Sequence, residues 1–199
     1  MSAPHDCQRC PALAIVRSLV VNGRRPEPVD ILFVGQGPGK AEDEQARAFV
    51  GPAGSVLGAL ARASDLPQGS FSVTNAVRCL TPGNRPPHKT EWTACRSYLL
   101  ADLERYQPKV LVALGATAIS SLLGKVTPVD GVAGQLLTQP ETGIPIIPTY
   151  HPAYLMRGNW GASVVVVRHF QRAIAAAQGH DRQSESPGFY TPITHVDQL

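Results

Sequence analysis

The chain has 199 residues, 43% of them hydrophobic and 17% charged, with a formal net charge of +3. That balance fits one folded domain and argues against a disordered or fibrous chain, and no run of 18 uncharged apolar residues is present to span a membrane. The small positive charge is compatible with a polyanionic partner but does not require one.

The first residues, Met-Ser-Ala-Pro-His-Asp-Cys, lack the basic start and apolar stretch of a secretory signal. The expectation is a cytoplasmic monomer. Cys7 and Cys10 follow as a C-x2-C pair, and Cys79 and Cys95 complete the four cysteines of the chain. Disulfides are disfavoured in a reducing compartment, whereas C-x2-C lets two thiolates reach one metal centre. Four unrelated buried thiols are the alternative on spacing alone.

Residues 29–34 (VDILFV) form a short apolar run ending at Gly35 and predict a buried strand. Gly35–Gly39 is a tight Gly-rich turn. Ser55–Ala63 has helical periodicity, with Gly54 and Ser55 at its start. Phe71–Val77 predicts a second strand, and the Pro- and Gly-rich segment Thr81–Lys89 a loop. Thr90 is positioned to cap a helix running to Tyr106. Val110–Leu114 predicts a third strand and Ala116–Leu123 a short helix. Ile144–Pro148 is apolar, but its prolines predict an edge or terminal strand. Ser163–Ala177 is the last helix. Residues 1–179 thus predict a single domain, and the polar residues 180–199 a loosely held tail.

Strands alternating with helices imply a three-layer α/β/α sandwich around a central, mostly parallel four-stranded sheet. In such a sheet ligands bind beyond the C-terminal strand ends. That rule picks out Gly35–Gly39, Asn75–Cys79, Gly115 and the segment around His151.

Those segments carry a resemblance. GQGPGKAED at Gly35–Asp43, FVGPAGSVL at Phe49–Leu57, TNAVRCLTPGNRPP at Thr74–Pro87, VALGATA at Val112–Ala118 and TYHPAYLMR at Thr149–Arg157 occur in order, with the four cysteines at matching spacing. In these blocks the chain resembles the uracil-DNA glycosylase superfamily, and within it the family 4 enzymes that carry an iron–sulfur cluster. The resemblance implies a DNA glycosylase that hydrolyses the N-glycosidic bond of a flipped-out uracil and leaves an abasic site.

It also implies roles for individual residues. Cys7, Cys10, Cys79 and Cys95 would ligate a 4Fe-4S cluster, with zinc as the physical competitor for four thiolates. Gly35 and Gly37 would let backbone approach the base, Phe49 would stack on it, and Asn75 would read its Watson–Crick edge. His151 would hydrogen-bond O2 as the bond breaks. Leu155 would be the wedge pushed into the duplex, with Arg85 and Arg157 on phosphates.

Two positions depart from the family pattern. The family usually has Glu where this chain has Gln36, and a carboxamide orients water but cannot accept its proton. Asp43 is then the candidate surrogate. His88 follows the Pro-Pro of the loop, where family 4 usually has no His. It is expected to contact DNA, and a related group of uracil-binding proteins uses a loop His for covalent capture. Gln36 motivates the alternative of another modified pyrimidine as substrate, and His88 that of a non-catalytic or covalent uracil-DNA-binding protein.

Overall fold

The computed structural model describes residues 2–24 and 28–180. The expected loose tail therefore falls, beyond its first residue, outside the described residues.

Five strands form one sheet: β1 (Ile31–Gly35), β2 (Phe71–Asn75), β3 (Val110–Leu114), β4 (Leu137–Thr138) and β5 (Pro145–Thr149), in the order β2-β1-β3-β5-β4. All pairings are parallel except β4 with β5. The sheet thus has one strand more than the four expected. Two residues offer no alternation to detect, so β4 leaves no trace in the pattern. It also makes β5 an interior strand by order, not the edge its prolines predicted. The proline argument keeps its physical content, because β4 pairs only with Pro145 and Ile146. Further along, the Pro148 carbonyl accepts from the Gly134 N–H at 2.8 Å, outside any strand.

Both sheet faces are covered, and the strands accordingly read as continuous apolar runs. Ile31, Phe33 and Val112 pack with α3 (Pro52–Ala63) and α7 (Ser163–Ala177), through Leu57, Leu60, Val166 and Phe170. Leu32, Val34 and Leu111 pack with α4 (Lys89–Tyr106) and α5 (Ala116–Leu123), through Leu99, Leu103, Ile119 and Leu122. A third apolar cluster joins Leu13 of α1 (Pro11–Ala14) and Val20 to Val77, Trp92 and Tyr98.

Helix boundaries differ from expectation where capping decides them. The helix expected from Ser55 starts at Pro52, whose fixed φ suits a first turn. α4 is capped at His88, not Thr90. Glu91, three residues on, accepts the His88 N–H at 2.7 Å, which is half of a capping box. Three short α-helices were not expected: α1, α2 (Lys40–Gln45) and α6 (Pro152–Met156). No helix among the described residues is long and apolar enough to cross a membrane.

Candidate active site

The C-terminal ends of β1, β2, β3 and β5 deliver Gly35, Asn75, Gly115 and His151 to one rim of the sheet. Gly35 and Asn75 are register partners. A Cβ on Gly35 would stand 2.5 Å from both Asn75 Oδ1 and the Phe49 ring, so the close approach of these two side chains requires glycine. Gly115 has φ +84°, and a Cβ there would meet that of His151 at 3.2 Å.

Phe49 is buried and holds φ +55°, an uncommon conformation for a bulky residue. Its surroundings impose it. Arg24 donates from Nε to the Ala48 carbonyl at 3.1 Å and from Nη2 to the Phe49 carbonyl at 3.0 Å. A Cβ on Gly54 would lie 2.2 Å from that same carbonyl oxygen. The Phe49 ring faces the His151 ring at 6.4 Å between centroids, with 29° between planes.

His151 Nδ1 accepts the Ala153 N–H at 3.1 Å, which leaves the ring proton on Nε2. Burial, with Arg157 as a further cationic neighbour, pushes its pKa down to about 4. The imidazole is therefore a neutral N–H donor at physiological pH. Gln36, Phe49, Asn75, His151, Met156 and Arg157 line one open groove of about 760 Å³, with Gly37 on its wall. A groove of this size accommodates a nucleotide.

A second constellation lies apart from the groove. Cys7, Cys10, Cys79 and Cys95 line one small cavity with Arg9, Arg17, Arg78 and Tyr98. Arg17 donates to Cys79 Sγ at 3.5 Å and to the Cys7 carbonyl at 2.7 Å. Tyr98 Oη lies 3.7 Å from Cys7 Sγ. Burial, together with the neighbouring thiols, pushes the Cys10 thiol up to about 11, and burial pushes Cys79 up to about 11 as well. To be deprotonated together, four thiols gathered here would need a cationic body among them. Among the described residues, no three His, Cys, Asp or Glu side chains are grouped as a single metal ion requires.

Residues 23–176 match the family model of the uracil DNA glycosylase superfamily. The chain belongs to that superfamily. It is 42% identical over 154 residues to the type-4 uracil-DNA glycosylase of Thermotoga maritima, covering 77% of this chain and 79% of that protein. It is 33% identical over 158 residues to the type-4 uracil-DNA glycosylase of Pyrobaculum aerophilum, covering 76% and 80%. A type-5 uracil-DNA glycosylase of the same organism is 27% identical over 207 residues, covering 87% and 90%.

Within this superfamily member, several expected site residues sit elsewhere. Asp43 is buried, and its carboxylate accepts the N–H groups of Ser18 at 2.8 Å and Leu19 at 3.3 Å. It clamps the N-terminal segment and does not line the groove. Leu155 is entirely buried in the core against α3 and α7, so it cannot enter a duplex from this position. Its neighbour Met156 is 42% exposed and stands on the groove wall. Arg85 grips Glu91 with both terminal nitrogens, at 2.9 and 2.7 Å, which lowers the Glu91 pKa and fastens the loop rather than leaving the cation free for phosphate. His88 is exposed at the start of α4, and Asn84 and Pro86 of the same loop line the groove in its stead. Arg157 is exposed on the groove wall, as a phosphate contact requires.

Three residues were not assigned from sequence. Glu42 accepts the Gly39 N–H at 3.1 Å and the Gly51 N–H at 2.7 Å, joining the glycine turn to the Phe49 loop. Its place three residues after Gly39 is a capping signal that could have revealed it. Arg24 and Arg78 act across 24 and more positions of sequence or from within the core, and no local pattern marks them.

Proposed function

We propose that the chain is a monofunctional uracil-DNA glycosylase that binds uracil-containing DNA and cleaves the base from its sugar. The observation that carries this reading is the convergence of Phe49, Asn75 and a neutral His151 on one groove around Gly35.

The flipped base lies against the Phe49 ring. The Asn75 amide donates to uracil O4 and accepts from N3–H. Cytosine presents the opposite pair, and each buried group left unpaired costs about 1–3 kcal/mol. As the C1′–N1 bond breaks, its electron pair moves onto the base and charge gathers at O2. His151 Nε2–H, preorganised by the Ala153 N–H on its other nitrogen, donates there. Water bonds to C1′ and its proton leaves to solvent. Gln36 can hold that water but cannot take its proton, and Asp43 is engaged elsewhere. The rate therefore rests on stabilising the departing base rather than on a strong general base. Lys40 on the groove wall is exposed and lies 4.0 Å from Glu44, so it is not placed as a lyase nucleophile.

The four-cysteine cavity fits a 4Fe-4S cluster better than zinc. Zn–S bonds of 2.3 Å would draw tetrahedral thiolates to roughly 3.8 Å of one another, and a cluster spreads them more widely around a larger body. Cys7, Cys10, Cys79 and Cys95 would hold the cluster, which would cross-link the N-terminal segment, the strand end after β2 and α4.

The test is excision from labelled oligonucleotides. Incubation with uracil-containing DNA should give strand breakage at the uracil only after alkali. Intact strands from both single- and double-stranded substrates would refute the proposal.

A further inference from the structure

We propose that Arg78, paired with Asp102 inside the core, is the positioning residue that fixes Asn75 for base reading; this rests on the glycosylase reading above.

Arg78 is 1% exposed, the most deeply enclosed large cation among the described residues. Its Nη1 donates to the Asn75 carbonyl at 2.9 Å and to Thr74 Oγ1. Its Nη2 donates to Asp102 Oδ2 at 2.6 Å and to the Tyr98 carbonyl at 3.2 Å. Thr74 Oγ1 donates to the same Asp102 oxygen at 2.6 Å. The guanidinium thus binds the last two residues of β2 to the middle of α4. The backbone of Arg78 is engaged too, since its carbonyl accepts the Val21 N–H at 2.8 Å.

This arrangement is costly as a stability device. A buried ion pair loses in desolvation much of what it gains in attraction, and apolar residues of similar volume often replace it without loss. Arg78 Nε, moreover, is buried with no partner. What the pair does that apolar side chains cannot is anchor a particular carbonyl. β2 lies at the edge of the sheet and pairs only with β1, so Asn75 is held by the ladder on one side only, and Arg78 supplies the other hold. Its amide must meet two atoms of a planar base, and a misplacement of about 1 Å at a reacting centre can cost on the order of 100-fold.

Arg78→Lys tests this. Lysine keeps the charge and the ion pair but offers a compact ammonium that cannot span Asp102, Thr74, Tyr98 and Asn75 together. The expected result is a folded protein that keeps the wild-type absorbance near 400 nm, with kcat reduced on the order of 10- to 100-fold and weaker inhibition by free uracil. A purely structural role would lower Tm and leave kcat and the uracil inhibition constant of the folded protein unchanged, and that result overturns the proposal. If Arg78→Lys does not fold, the double variant Arg78→Met/Asp102→Leu replaces the pair by apolar volume. It should fold and show the same losses; wild-type kcat and uracil inhibition in it would likewise overturn the proposal. A wild type without excision activity would instead count against the glycosylase reading itself.

Discussion

The groove and the thiol cavity lie on either side of Arg78, yet they are built in opposite ways. The groove hangs on strand ends, and its key side chains are placed by the sheet: Gly35 and Asn75 by register, His151 two residues beyond the end of β5. Two of the four cysteines at the thiol cavity, Cys7 and Cys10, lie on neither strand nor helix but in an N-terminal segment tied down by Arg17, Asn22 and Asp43. A site held by the sheet is preorganised before anything binds. A site held by loops relies on its occupant for rigidity, and that occupant also stabilises the fold.

The comparison breaks if variants in the two regions behave alike. The largest effect is expected in the groove. His151→Ala removes the proposed donor to O2 and should lower kcat about 100- to 1000-fold with little change in Tm. Steady-state kinetics beside calorimetry separate the two readouts. Under the proposed cluster ligation, Cys95→Ser should do the reverse, abolishing absorbance near 400 nm and lowering Tm on the order of 10 °C, since it would remove one of the four thiolates proposed to cross-link the N-terminal segment.

A contrast within α6 sharpens the picture. Leu155→Ala should cost about 2–5 kcal/mol of stability in denaturant unfolding, because Leu155 is core, while the folded fraction keeps near-normal excision. Met156→Ala should leave stability unchanged and weaken excision from duplex more than from single-stranded DNA. Reversed results would restore Leu155 to the wedge position.

The smallest effect is a pH dependence. The folded-state pKa of His151, about 4, lies below the ordinary 6.5. The unfolded chain therefore binds the extra proton between those values, and stability falls on acidification through that window. The loss is absent above about pH 6.5 and grows to about 3 kcal/mol by pH 4. His151→Phe should flatten the stability profile between pH 6.5 and 4, as followed by urea midpoints.

The parts legible in the sequence are those where local chemistry and fold agree. The apolar runs at residues 31–34 and 110–114 are buried on both faces and could only be strands. Glycines at strand ends marked the rim correctly, because close approach leaves no alternative residue. Other features depend on distances a chain does not display. Leu155 and Met156 are adjacent, and only the docking angle of a five-residue helix decides which one is buried. Asp43 looked available because the backbone of Ser18 and Leu19, 25 and 24 positions away, could not be foreseen as its partner. Arg78 and Arg24 hold Asn75 and Phe49 through carbonyls, which leave no signature in side-chain spacing.

The most direct measurement is a crystal structure of the protein with uracil. The account predicts the ring packed on Phe49, with the Asn75 amide and His151 Nε2 each within about 3.2 Å of its polar edge. Uracil lodged outside this groove, or oriented with O2 away from His151, would contradict it.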